Sequence, residues 1–141
     1  MERRITMITL GVTELETASL FYEQHFGWTR TAASNDDIVF YQLNGMQLAL
    51  YPIEKLAEDA QLPGAGIGFK GFSLAYNTRS ENEVDTLFRS FEQAGVRIVK
   101  SPEKVFWGGY SGYIADPDGH LWEIAYNPFL SLDEKGAVQG D

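Results

Sequence analysis

Hydrophobic and polar positions alternate along Ile5–Val12, with Ile8, Leu10 and Val12 on one side and Met7, Thr9 and Gly11 on the other. That period of two predicts a β-strand. The period then lengthens. Thr13-Glu14-Leu15-Glu16 has the form of a capping box, and Ala18, Phe21, Tyr22 and His25 recur at helical spacing up to about Phe26. Gly27 supplies the C-cap. Trp28–Ser34 reads as a second strand, Asn35-Asp36-Asp37 as a turn, and Ile38–Leu43 as a third strand. Asn44-Gly45 is a hairpin signal, and Met46–Tyr51 completes the hairpin before Pro52.

Residues 53–69 break the pattern and read as a linker, with a short exposed helix over Glu54–Gln61 and a loop at Pro63-Gly64-Ala65-Gly66-Ile67-Gly68. The order then begins again. Gly71–Tyr76 alternates as a strand. Ser80-Glu81-Asn82-Glu83 is a second capping box. Val84, Leu87, Phe88 and Phe91 form a helical stripe ended by Gly95. Val96–Val99 reads as a strand, and Trp107–Ala115 with His120–Tyr126 as a closing hairpin; residues 128–141 read as a frayed polar tail. The chain is thus one domain, 1–141, of two similar βαβββ modules, about 4–52 and 70–127. Each module carries a half-sheet with a helix on one face. Two such sheets facing each other would enclose a cavity suited to a small molecule.

Composition narrows the function. The 141 residues carry 11 Lys and Arg against 20 Asp and Glu, a net charge of −9, which argues against nucleic acid and anionic membrane surfaces as partners. No apolar run is long enough to span a membrane, and no signal-peptide pattern opens the chain, so a cytoplasmic protein is expected. The absence of cysteine removes disulfides, thiolate zinc sites and cysteine nucleophiles. Only His25 and His120 are available as imidazole ligands.

The most specific segment is Asp116-Pro117-Asp118-Gly119-His120-Leu121-Trp122-Glu123. Its first four residues form a tight-turn sequence, with proline presetting φ and glycine accepting positive φ. Together with Ile8–Leu15, with Ala18–Tyr22 leading to Phe26-Gly27-Trp28, and with Phe88–Gly95, it makes residues 4–128 resemble the vicinal oxygen chelate superfamily. That superfamily contains glyoxalase I, the fosfomycin and bleomycin resistance proteins and the extradiol dioxygenases. The resemblance implies an α+β fold in which mixed sheets curl around a cleft with helices outside.

It also implies four metal-ligand positions, one per strand, which fall here at Met7, Ala49, Gly71 and Glu123. Only Glu123 offers a hard donor, and one carboxylate does not make a metal site. Strand alternation puts His120 on the face opposite Glu123, and His25 lies late in a helix, so neither completes the set. No cofactor is expected, a divalent metal being left open.

Glu123 reads either as a functional acid, base or acceptor or as an inherited position paired with a neighbour. Met7, Thr9, Gly11, Gln47, Ala49, Tyr51, Gly71, Ser73 and Ala75 share its expected lining. Trp107, Gly108, Gly109, Tyr110, Ser111, Gly112 and Tyr113 offer aromatic rings among glycines as ligand contacts, Tyr110 reading more simply as a core residue. Ser80 and Ser101 lack histidine–acid companions, and Gly64–Gly68 lacks the context of a phosphate loop.

The expected function is therefore binding of a small, perhaps aromatic, organic molecule without metal, through Glu123, Trp107, Tyr113, Tyr51 and Met7. The alternative is a lyase, isomerase or dioxygenase-type enzyme using Glu123 with an atypical metal or none; a third possibility is an interaction domain with a collapsed cleft. A homodimer is what the resemblance implies.

Overall fold

A computed structural model describes residues 3, 6–59, 70 and 72–139. Gly71, Ile5 and the Pro63–Gly68 loop lie outside the described residues. The chain divides into two compact units at residues 68/69. Each is an α+β unit with a mixed sheet.

The first unit contains β1 (Met7–Val12), α1 (Leu15–His25), β2 (Val39–Gln42), β3 (Gln47–Pro52) and α2 (Ile53–Asp59). Its sheet has the order β1-β3-β2, with β1 parallel and β2 antiparallel to β3. Leu10, Val12, Val39, Tyr41, Leu48 and Leu50 are buried, and with Ala18, Phe21 and Tyr22 of α1 they form the unit's core. Gly45 takes φ 80° in the turn between β2 and β3, as the Asn-Gly pair predicts. Gly27 follows α1 at φ 70°.

Two expectations change here. The strand predicted over Trp28–Ser34 is reduced to one bridge, Arg30 to Tyr41. Side chains take the ladder's place: Ser34 Oγ accepts the Phe40 amide at 2.9 Å, and Asn35 Oδ1 accepts the amides of Asp37 and Ile38. Trp28 instead stacks on Tyr22, with centroids 5.5 Å apart and planes 16° from parallel. Second, α1 starts from Glu14 as N-cap, one residue later than read, and the Glu14 side chain makes no cap bond. The helix is tied from its flank. Arg30 Nε donates to Glu23 Oε1 at 2.7 Å and Arg30 Nη2 to Ser19 Oγ at 3.2 Å, while the buried Tyr41 hydroxyl donates to the Ser19 carbonyl at 3.2 Å. The short helix read over Glu54–Gln61 forms, in its described part, as α2, which runs directly on from β3 and sets Ile53 against Gly11. A Cβ on Gly11 would lie 2.8 Å from Ile53 Cγ1.

The second unit contains β4 (Leu74–Thr78), α3 (Glu81–Gln93), β5 (Arg97–Lys104), β6 (Tyr110–Ala115) and β7 (Leu121–Tyr126). Its sheet order is β4-β7-β6-β5, with β4 parallel to β7 and the other pairs antiparallel. Here the cap is as predicted: Ser80 Oγ accepts from the Glu83 amide at 3.2 Å. Glu83 reaches back one residue further than a standard box, to the Arg79 amide at 2.8 Å. Val84, Phe88 and Phe91 of α3 pack with Ile114, Trp122 and Ile124 as this unit's core.

β4 starts at Leu74, later than predicted. β5 runs on past Val99 to Lys104, with register shifts on either side of Lys100. β6 begins only at Tyr110, because residues 105–109 form a turn closed by the Val105 amide on the Gly109 carbonyl at 2.9 Å. The tail is not frayed over its described part. Leu132 bridges Val138, Asp133 Oδ1 accepts the amides of Lys135 and Ala137, and Arg79 Nη2 donates to the carbonyls of Asp133 and Glu134 at 2.9 and 3.2 Å. Among the described residues no helix is long and apolar enough to cross a membrane.

Candidate functional site

The Asp116–Gly119 turn fixes the geometry of the second sheet. Asp116 Oδ1 accepts the amides of Asp118 and His120 at 2.9 and 2.8 Å, the Gly119 amide donates to the Asp116 carbonyl, and Gly119 takes φ 81°. The hairpin that leaves this turn pairs Ala115 with Leu121, Ile114 with Trp122 and Tyr113 with Glu123. Directly paired residues of an antiparallel ladder project to the same side. Ile114 and Trp122 are buried toward α3, so Tyr113 and Glu123 share the opposite face.

The register continues across the sheet. Lys100 of β5 pairs with Tyr113, and Ala75 of β4 with Glu123, so Lys100, Tyr113, Glu123 and Ala75 form one row across four strands. The Tyr113 hydroxyl donates to Glu123 Oε2 at 3.1 Å. Partial burial pushes the Tyr113 phenol up, the Glu123 charge and hydrogen bond add to that, and Lys100 opposes it. Lys100 binds Glu103 at 2.9 Å, and that bond is the main cause of its raised pKa, with Tyr113 and Glu123 contributing less. Beside the row lie small buried residues, Ser111, Ala115 and Ala125. Such a surface offers a positioned carboxylate and a phenol among short side chains.

Tyr113 and Glu123 are thus brought together as the sequence allowed. Trp107 is not on a strand. It lies in the β5–β6 turn, 41% exposed, with its ring over Gly109. Tyr110, one of the aromatic candidates, points the other way: its hydroxyl donates to Asp85 Oδ1 of α3 at 2.6 Å. Met7 and Tyr51 belong to the first unit, on the face turned away from Leu10, Leu48 and Leu50. Met7 pairs with Gln47 and Tyr51 with Gly11. That offset of four residues separates them along the sheet by about 13 Å. His120 is buried, and the His25 ring packs 5.1 Å from that of Phe21. Lys100 escaped the sequence reading because the strand was taken to end at Val99. Asn77, two residues beyond Ala75 on the same face of β4, was also missed.

Among the described residues, no three of His, Cys, Asp and Glu are grouped to hold a metal ion. Of the implied ligand positions, Met7 offers a thioether, Ala49 no donor, and Glu123 a single carboxylate already bonded to Tyr113. This donor set does not fit a hard divalent ion.

The model of the Glyoxalase/Bleomycin resistance protein/Dioxygenase superfamily matches residues 4–124. The chain belongs to this superfamily. A glyoxalase-related enzyme from Fulvimarina pelagi shares 37% identity and superposes over 99% of both chains with a TM-score of 0.86. The metallothiol transferase FosB of Lysinibacillus sphaericus is 29% identical over 120 residues, 85% of this chain and 79% of that protein. Lactoylglutathione lyase from Agrobacterium tumefaciens, 24% identical with a TM-score of 0.71 over 89% of this chain and 95% of that one, shares the fold. Superfamily membership accounts for the α+β architecture and the duplicated strand–helix order. It does not by itself decide between binding and catalysis.

Proposed function

We propose that this superfamily member binds a small organic molecule, with an aromatic portion, over the face of the second sheet that carries Glu123, and that it does so without a resident divalent metal. The observation that supports this most directly is the Tyr113–Glu123 hydrogen bond of 3.1 Å, flanked by alanine at position 75. It leaves a carboxylate fixed in orientation among short side chains. Met7 and Ala49, at positions where the superfamily places metal donors, support the metal-free part of the reading. Trp107, half-exposed in its turn on the same unit, is a further proposed contact. The same reading includes a homodimer, supported by the exposed apolar side chains of Phe72, Tyr76, Phe106 and Phe129.

A second reading is favoured by the glyoxalase-related enzyme and the metallothiol transferase among the relatives: Glu123 acts as a general base or acid on the bound molecule, with an atypical metal or none. Elemental analysis and native mass spectrometry of the purified protein separate the two. The expected result is a small organic adduct, or a ligand-dependent stability gain, with no stoichiometric metal. About one Ni, Zn, Mn or Fe per chain, lost in Glu123→Gln, would overturn the metal-free reading.

A further inference from the structure

Glu123 uses one of its roughly four acceptor positions. Tyr113 bonds Oε2, and among the described residues Oε1 accepts no hydrogen bond from the protein. A carboxylate has about four acceptor positions, and an unused one at a half-buried site is costly unless water or a ligand fills it. The neighbours determine what can fill it. On the β4 side the paired residue is Ala75, an exposed position whose side chain ends at Cβ. On the β5 side the row's cation, Lys100, lies beyond Tyr113 and is engaged by Glu103 at 2.9 Å. Two strand spacings, about 10 Å, separate its backbone from that of Glu123.

We propose that Glu123 Oε1 anchors a protonated amine of the ligand, seated over Ala75, with the side chain of Asn77 as its second contact. This inference rests on the small-molecule reading above and assigns the class of ligand to it. Asn77 faces the same side two positions further along β4, and no protein hydrogen bond engages its side chain among the described residues. Its carbonyl oxygen can accept a second ammonium hydrogen. The diagonal from Glu123 to Asn77 is about 8 Å between backbones, short enough for both side chains to meet one nitrogen. An anionic group at this position would meet a like charge in a partly desolvated place. A neutral hydroxyl could donate to Oε1, but a charge-assisted bond is roughly twice as strong. The chain's net charge of −9 favours the approach of a cation in the same sense.

Calorimetric titration with three probes of matched shape tests this: 2-phenylethylamine, 2-phenylethanol and 3-phenylpropionate. The amine is expected to bind about tenfold tighter than the alcohol, with the carboxylate weakest. Glu123→Gln, which keeps the shape of the side chain, should bring the amine down to the alcohol's affinity. Ala75→Leu, at an exposed position where folding is not at stake, should weaken the amine by occupying its place. Equal affinities for amine and alcohol, or an amine preference that survives both substitutions, would overturn the amine assignment while leaving small-molecule binding intact. Failure of all three probes to bind overturns the binding reading and the amine assignment with it.

Discussion

Replacing Gly112 by alanine measures how closely β5 approaches the core of the second unit. Gly112 lies on β6 between Tyr110 and Ile114, on the face toward α3. A Cβ built there would lie 2.6 Å from the Lys100 carbonyl oxygen, 2.6 Å from Phe88 Cζ and 2.9 Å from the Pro102 nitrogen. Ordinary contact needs about 3.5 Å or more, so each neighbour must retreat by the better part of an ångström. Two of the three are backbone atoms. The third belongs to Phe88, which is buried and packed edge-on against Phe91 with centroids 6.3 Å apart. None can swing aside independently. Overpacking of this kind costs about 1–3 kcal/mol, and backbone on two sides places Gly112→Ala at the upper end. The reduced freedom of the unfolded chain returns about 0.5–1 kcal/mol.

The expected net loss is about 2 kcal/mol, with a fall in Tm of several degrees for a chain of this size. Gly109→Ala is the control. Its Cβ would meet the Trp107 ring within 2.1 to 2.6 Å, which is closer still. Trp107 is 41% exposed, however, and can rotate away, so the cost should stay under about 1 kcal/mol. Urea denaturation of both variants, read at constant m, gives the comparison. If Gly112→Ala is within about 0.5 kcal/mol of the wild type, or Gly109→Ala is the more damaging, steric closeness to backbone is not what makes glycine necessary at position 112.

Two further outcomes are expected. A double-mutant cycle with Arg30→Met and Glu23→Gln should give a coupling of about 1 kcal/mol, discounted from a buried value because both side chains are partly exposed, and additive losses would show that the 2.7 Å contact contributes nothing. The hydrogen bond to Asp85 is the main cause that pushes the Tyr110 phenol up to about 12. With the folded pKa above the ordinary value near 10, its contribution to stability is complete below pH 10 and is lost as pH rises toward 12. Denaturation series between pH 9 and 12 should therefore show a smaller alkaline loss in Tyr110→Phe than in the wild type, and parallel curves would contradict the assignment.

What was legible in the sequence was local. The Ser80 cap, the helical stripe of α3, the Asn44-Gly45 hairpin and the Asp116–Gly119 turn each carry their instructions within a few residues, and each forms as read. Even the Tyr113–Glu123 pair follows from counting outward from that turn, since Ala115 meets Leu121 and the ladder then proceeds one for one. The misread elements depend on distant or competing partners. Trp28–Ser34 has strand composition, but Ser34 and Asn35 offer side-chain acceptors to the amides a ladder would use. β5 continues through Pro102, which reads as a stop; it is tolerated because β5 is the edge strand and the register slips past it. The same slips hid Lys100 from the row it joins. The tail was read as loose because its order comes from Arg79, more than fifty positions earlier in the chain.

The two helices show that duplicated modules can be secured by unlike fastenings. α3 holds its own first turn through Ser80 and Glu83, whereas Glu14 at the start of α1 makes no side-chain cap bond and the helix is secured sideways by Arg30, Ser19, Glu23 and Tyr41. Mutational tolerance is therefore distributed differently in the two halves. The helix of the second half is sensitive at its leading end, and that of the first along its flank.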